Sequence, residues 1–269
     1  MNDAASGRKA QAKTQFNTVA AEYDAGPGCF AHFGRRLVTA AEIQPGQRVL
    51  DVACGRGAVL FPCAEQVGQT GQAIGVDLAD EMVRATNEEA ARRGITARSQ
   101  VMDAEHLDFS DATFDRVLCG FGIMFFPNQI QALAEFRRVM KRGGRLAVST
   151  WRVTQNSEID AAMAELGMQR AKQVGWITEP DDLTKLLTMA EFADVSVRAD
   201  SHSFRYADIE EYWRQARSTG LRRTLDELNA TEAERLRGAL VMRNGQKEFY
   251  STSTALIAVG CREAGSNVG

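Results

Sequence analysis

The sequence predicts an α/β fold with a mainly parallel sheet and helices on both faces. Between residues 48 and 151, β-branched apolar runs alternate with amphipathic stretches, and the loops joining them are short. The chain has 269 residues, 44% hydrophobic and 25% charged, enough to bury one large core without disulfides.

The elements follow in order. RVLDVA (48–53) reads as a strand, followed by glycines and a helix from Ala58 to about Val67. The pattern repeats with strand AIGVDL (73–78), a helix from Asp80 to about Arg93, strand SQVMDA (99–104) and strand FDRVLCGF (114–121). A helix from about Asn128 to Met140 and strand GRLAVSTW (144–151) close this part. Asp80 is placed to cap its helix, Gly94 to end it, and Gly143 and Gly144 to follow the next one. Before the first strand, FNTVAAEYD (16–24) and FAHFGRRLVTAAEI (30–43) have helical character. After Trp151 the reading is a helix from about Ser157 to Val174, another over 180–190, and a strand over 194–204. A charged helical stretch from Asp208 to about Leu240 leads to a last strand over 249–262, and the tail EAGSNVG reads as disordered. The expected organisation is one domain over 1–269. It comprises an N-terminal lid (1–46), a ligand-binding core (47–151), a variable cap region with the sixth strand (152–248) and the last strand (249–262).

The charge balance, 32 basic against 35 acidic residues, gives a net of −3 and no broad footprint for nucleic acid. The longest apolar stretches, such as ALIAV (255–259), fall far short of the roughly 20 residues that span a bilayer. The N-terminus MNDAASGRKAQAKTQF lacks the apolar stretch of a secretory signal, so a cytoplasmic protein without a transmembrane segment is expected. Cys29, Cys54, Cys63, Cys119 and Cys261 form no C-x-x-C pair and read as reduced. With only His32, His106 and His202 available, no metal centre is expected.

The most informative segment is VLDVACGRG, Val49 to Gly57. Glycines at 55 and 57 permit a sharp turn and close approach of a ligand, while the next helix aims its N-terminal amides at the same place. Ligands of open parallel sheets lie beyond the carboxyl ends of the strands. Asp77 ends the second strand, where a carboxylate suits the paired hydroxyls of a ribose. Asp103 ends the third, where it can accept from an exocyclic amine such as that of adenine. A dinucleotide fingerprint demands G-x-G-x-x-G, but Leu60 stands at the third glycine position, which weakens a nicotinamide-dependent oxidoreductase as the alternative.

The segments VLDVACGRG, GVDLADEM, VMDAEHLDF, FDRVLCGFGIMFFPN and LAEFRRVMKRGGRLAVSTW resemble class I S-adenosylmethionine-dependent methyltransferases of the ubiquinone/menaquinone C-methyltransferase-like (type 11) branch. FNTVAAEYD resembles that branch's N-terminal motif. The resemblance implies a Rossmann-like, seven-stranded sheet with an antiparallel last strand, and S-adenosylmethionine as cofactor with S-adenosylhomocysteine as product. It implies that Ala53, Gly55 and Gly57 line the methionine moiety, Asp77 holds the ribose, and Leu78 and Met82 flank the adenine. Asp103 and the Ala104 amide would meet the adenine edge. Cys119, Gly120 and Phe121 would offer backbone groups to the cofactor's amino group or sulfonium, and Phe16 and Tyr23 would close the site from the lid. Asp51 either binds the cofactor's ammonium through water or anchors the turn.

The expected reaction is methyl transfer to a small, largely apolar acceptor, quinone-like, aromatic, polyketide or terpenoid. His32 is the candidate base and Tyr23 the second catalytic candidate; the plainer reading of His32 is a packed lid histidine. His202 is a lesser candidate for a substrate role, and His106 reads as a surface residue. Phe33, Met124, Phe125, Trp151, Trp176 and Trp213 are candidates for the acceptor pocket, each of which could instead be core. Arg214, Arg217, Arg222 and Arg223 read as a solvated helix face in preference to an anion site. Cys54 has no neighbouring base to make it a nucleophile. The alternative outside catalysis is a cofactor-binding protein without methyl-transfer activity. A monomer or homodimer acting on a small molecule is expected.

Overall fold

Seven strands form one sheet in the order β3-β2-β1-β4-β5-β7-β6. The computed structural model describes residues 2–24, 26–152, 158–168, 177, 179–219, 221–245 and 247–264. In chain order the elements are α1 (Asn2–Val19), α2 (Cys29–Ala41), β1 (Arg48–Val52), α3 (Leu60–Val67), β2 (Gln72–Asp77), α4 (Asp80–Arg93), β3 (Ala97–Val101) and β4 (Phe114–Gly120). There follow α5 (Gln129–Val139), β5 (Met140–Trp151), α6 (Glu158–Glu165), α7 (Pro180–Met189), β6 (Ala193–Tyr206), α8 (Ile209–Arg217), α9 (Arg222–Asp226), α10 (Ala230–Asn244) and β7 (Phe249–Cys261). Strands β1 to β5 pair in parallel, and β7 runs antiparallel between β5 and β6. The order reverses between β1 and β4, so a crevice opens above the carboxyl ends of those two strands.

The central strands are apolar on both faces because helices cover both. Leu50, Val52, Ile74, Val117 and Val148 pack with Phe136 of α5 on one side. Leu37 and Val38 of α2, with Leu60 and Val67 of α3, pack with Val49, Leu118 and Ala147 on the other. A third apolar cluster joins α2, α6, α8, α10 and the outer halves of β6 and β7, forming the cap beside the crevice. Among the described residues no helix is long and apolar enough to cross a membrane.

Several expectations shift for local reasons. Asp80 does not cap α4: Ala79 is the N-cap with no side-chain bond, and Asp80 is the first helical residue, ion-paired with Lys13 at 2.8 Å. β3 stops at Val101, because Asp103 turns back to form an isolated bridge with His106. β5 starts at Met140, immediately after α5, and Gly143 (φ 71°) sits at the bulge where the register with β4 shifts between Phe114 and Arg116. The helix expected to reach Val174 ends at Glu165. Gly167 takes φ 67° and the Met168 amide bonds back to the Met163 carbonyl at 2.8 Å, a Schellman-type stop. The stretch 208–240 divides into α8, α9 and α10, the last opened by an Asn229–Glu232 capping box. The end of the tail, 265–269, lies outside the described residues.

Phe33, expected in an acceptor pocket, is fully buried in the cap core, edge-on to Trp151 at 5.5 Å and to Phe204 at 5.9 Å. Phe33→Ala should therefore cost about 3–5 kcal/mol of stability. Urea denaturation measures this, and a loss below about 1 kcal/mol would place Phe33 outside the core.

Candidate functional site

The crevice is organised by the turn after β1. Gly55 (φ 48°) and Gly57 (φ 84°) occupy left-handed backbone, and a Cβ at Gly57 would collide with the Phe61 ring at 2.7 Å. Asp77, at the end of β2, holds this turn in place. Its Oδ2 accepts from the Gly55 amide at 2.8 Å and its Oδ1 from the Ala79 amide at 2.9 Å. Thr86 of α4 clamps the same turn by donating to the Gly55 carbonyl at 2.6 Å. Burial pushes the Asp77 carboxyl above its ordinary value, partly offset by the Ala79, Gly55 and Leu78 amides. Lone pairs on both oxygens remain for further donors.

Ala53 and Phe121, which directly follow β1 and β4, both take φ 57°, an uncommon conformation for residues with side chains. Each costs of order 1–3 kcal/mol and is held by its surroundings. The two turns pack so closely that a Cβ at Gly122 would meet the Ala53 Cβ at 2.5 Å.

Three cavities meet here. The first, about 770 Å³, is lined by Ala53, Gly55, Asp77, Leu78, Met82, Asp103, Ala104, Gly120 and Phe121, with Phe16 and Tyr23 from the N-terminal segment. The structure thus brings together eleven of the fourteen residues singled out for cofactor contact. Of the remaining three, Asp51 and Gly57 line an adjoining cleft of about 1390 Å³. Cys119 lines none of the three and packs into the core at the end of β4. The second cavity, about 1090 Å³, lies toward the cap and is walled by Met124, Phe125 and Trp151, all foreseen, together with Phe30, Tyr206, Tyr212 and Gln215. Tyr23 and Phe121 border all three cavities.

Asp51 is buried to 1% exposure, and both carboxylate oxygens lack a partner in normal hydrogen-bond geometry. Burial and the neighbouring Asp77 raise its proton affinity well above the ordinary value, with only weak relief from the Leu60 amide. An unpartnered carboxyl beside an open cleft is a place for a cationic or donor group. Burial likewise pushes the Tyr23 phenol up, so it stays protonated near neutral pH.

His32 does not reach these cavities. Its ring stacks on His202 at 3.9 Å and lies edge-on to Phe33 and Phe204, and burial and the adjacent His202 lower its proton affinity. Trp213 packs against the cap core and lines none of these three cavities. Trp176 lies outside the described residues. His106 is exposed beside Asp103, at 3.5 Å.

Sequence reading placed Phe16 in the lid but missed the ionic contacts that α1 makes at the site. Lys9 reaches Asp103 and Glu105, each at 2.6 Å, while Lys13 and Asn17 meet Asp80. Lys9, Ala12 and Lys13 line the first cavity, so α1 roofs it by ionic contacts at one end and by Phe16, Val19 and Ala20 at the other. The signal was faint because this helix has no apolar stripe, only lysines spaced four apart.

The family described as "Methyltransferase domain" matches residues 49–144. Aklanonic acid methyltransferase DauC of Streptomyces sp. (strain C5) is 40% identical over 144 residues, 53% of this chain and 66% of that protein. A ubiquinone/menaquinone biosynthesis C-methyltransferase UbiE, from Cupriavidus pinatubonensis, is 35% identical over 138 residues, 49% of this chain and 57% of its own length. In each case the match spans less than two thirds of the relative. The YcgJ protein of Bacillus subtilis superposes with a TM-score of 0.58 at 19% identity, covering 87% of this chain and 100% of that one, a likeness of fold.

The α1 roof should respond to charge. Burial raises the Asp103 carboxyl, but Lys9 and the Glu105 amide outweigh it and hold it below its ordinary value. A carboxyl lowered in the folded chain favours the docked helix above the ordinary carboxylate range, and that contribution disappears as pH falls through it. These pairs are partly exposed and together contribute on the order of 1 kcal/mol. Lys9→Met should therefore speed amide exchange in α1 roughly fivefold at neutral pH, an effect mimicked in the parent by high salt, and by acid once exchange is expressed relative to the intrinsic rate at that pH. Unchanged exchange would show that apolar contacts alone hold the roof.

Proposed function

We propose that the chain is a class I S-adenosylmethionine-dependent methyltransferase, in line with the methyltransferase-domain match over residues 49–144 and the methyltransferase relatives, and that it methylates a small, aromatic acceptor held in the second cavity. The observation that carries this reading is the junction: a nucleoside-sized cleft and an aromatic cavity share Phe16, Tyr23, Phe121 and Phe125 as a common wall. A group held in one faces a group held in the other.

The residues present fit the cofactor. Asp77 supplies acceptor lone pairs for ribose hydroxyls, and Leu78 and Met82 are apolar neighbours for a purine. Asp103 and the Ala104 amide offer complementary groups for its edge. Ala53, Gly55 and Gly57 leave room for the methionine portion, and the unpartnered Asp51 calls for the positive charge that its ammonium carries. When bound, S-adenosylmethionine supplies a methyl group already activated by its sulfonium for in-line displacement.

The chain's remaining task is alignment and exclusion of water. Holding two reactants in line can contribute on the order of 7–11 kcal/mol in favourable cases. Phe16, Tyr23, Phe30 and Phe125 form an aromatic barrier in which Phe16 meets Phe125 edge-on at 5.0 Å and Tyr23 stacks on Phe30 at 5.1 Å. Tyr23, protonated and placed at the junction, orients the acceptor through its hydroxyl. His32 has no part in this scheme, since its ring lies on the far side of α2 against β6. The DauC and UbiE names point to polyketide and quinone-type acceptors for those proteins, and an aromatic cavity of this size suits the same chemical range here.

Incubation with S-adenosylmethionine and a panel of hydroxylated naphthoquinones and anthraquinones should yield products heavier by one methyl group. No gain across quinone, phenol and enol acceptors would count against the reading. Asp77→Ala should weaken S-adenosylhomocysteine binding roughly 10- to 100-fold, from loss of charge-assisted bonds of about 1.5–3 kcal/mol. Calorimetry checks this, and unchanged affinity would remove Asp77 from the ribose.

A further inference from the structure

The second cavity has two unlike faces. On one, Phe121 stacks on Trp151 at 4.0 Å with planes 22° apart, and Phe30 stands edge-on to both. This is a surface for a flat ring. The opposite face comes from α8 and β7 and carries Tyr212, Gln215, Ser251 and Ser253. The Tyr212 hydroxyl is tied to Ser251 and the Cys29 thiol to Ser253. Burial pushes the Cys29 thiol up to about 12 and raises both Tyr206 and Tyr212, so this face is uncharged near neutral pH. Two charged groups line the cavity: Arg152, whose Nη2 approaches Glu179 at 3.4 Å while its Nε is buried without a partner, and Asp160, which has its own partners.

Gln215 stands apart on this face. It is 6% exposed, its Nε2 donates to Asp24 Oδ1 at 3.1 Å, and its Oε1 is buried without a partner. The Asp24 carboxylate also faces the amides of Cys29, Phe30 and Ala31 in the first turn of α2, which oppose the rise in proton affinity that burial causes. That arrangement sets the polarity of the amide: the nitrogen faces Asp24, and the carbonyl is left over. Gly26 packs flat against the amide, where any Cβ would overlap it. A buried, unsatisfied carbonyl is costly to keep unless something else completes it.

We propose that Gln215 is the specificity-determining residue of the acceptor cavity, taking through its side-chain carbonyl an uncharged hydroxyl of a flat aromatic acceptor. The proposal rests on the placement of the acceptor in this cavity. It narrows the acceptor to oxygenated aromatics: a purely hydrocarbon ligand leaves the Gln215 carbonyl unpaired, and an anionic group would present a second acceptor to it. Asp24 is a positioning residue, acting through the amide it holds.

The test uses the full chain saturated with S-adenosylhomocysteine and two probes of one skeleton, 2-naphthol and 2-methylnaphthalene, titrated calorimetrically. In the parent protein and in Gln215→Met, which keeps the side chain's length, the quantity read is the ratio of the two affinities. The ratio should fall about tenfold toward the hydrocarbon in the variant, with S-adenosylhomocysteine affinity unchanged. An unchanged ratio with both probes still bound overturns the role of Gln215 and leaves the acceptor cavity standing. Failure of both probes to bind the parent overturns the cavity assignment and the inference with it. Should Gln215→Met lose S-adenosylhomocysteine binding through misfolding, titration of the parent with 2-methoxynaphthalene decides. The ether has no hydroxyl to donate to the Gln215 carbonyl, so it should lose the advantage of 2-naphthol over the hydrocarbon, and an ether that binds as well as 2-naphthol refutes the proposal.

Discussion

Everything at the crevice depends on one carboxylate gripping one glycine turn. Asp77 spends a lone pair of each oxygen on the Gly55 and Ala79 amides, joining the β1 turn to the head of α4. The Thr86 hydroxyl locks the turn from the other side. With that turn fixed, Ala53 and Phe121 are forced into left-handed backbone and their neighbours are packed too tightly to relax. The strain is affordable because the sheet beneath is rigid and apolar on both faces. Its return is geometric: the ends of β1, β2 and β4 converge on one narrow volume.

A second dependency runs through the N-terminal segment. Tyr23 and Asp24 lie between α1 and α2, and each belongs to more than one cavity or contact. Tyr23 borders all three cavities, while Asp24 faces the first-turn amides of α2 and orients Gln215 from α8. The lid and the cap are therefore not independent parts. A displacement of residues 23–24 would disturb the roof over the first cavity and the polar face of the second together.

Much of this was legible in the sequence, for identifiable reasons. β1, β2 and β4 announce themselves as β-branched runs, and Gly55 and Gly57 are the residue type that a left-handed turn demands at those positions. The cap was less legible. Phe33 and Trp213 looked like pocket residues because aromatic side chains near a site read alike from sequence, whether they face a ligand or the core behind it. His32 was attractive as a rare titratable residue in the lid, but one helical turn decides which face it occupies, and it faces β6. Lys9 and Gln215 escaped notice because their contacts are long-range and polar: Lys9 meets Asp103 across 94 positions and Gln215 meets Asp24 across 191. No local periodicity encodes such pairs.

The central claim is that the cleft above β1, β2 and β4 is built for a nucleoside bearing a charged amino acid in place of a pyrophosphate. Leu60 occupies the position where a dinucleotide turn needs glycine, and the unpartnered Asp51 would repel a phosphate and welcome an ammonium. Calorimetric titration of the chain with S-adenosylhomocysteine and, separately, with NAD tests this most directly. The account predicts micromolar binding of the first and none of the second; binding of NAD in preference to S-adenosylhomocysteine would contradict it.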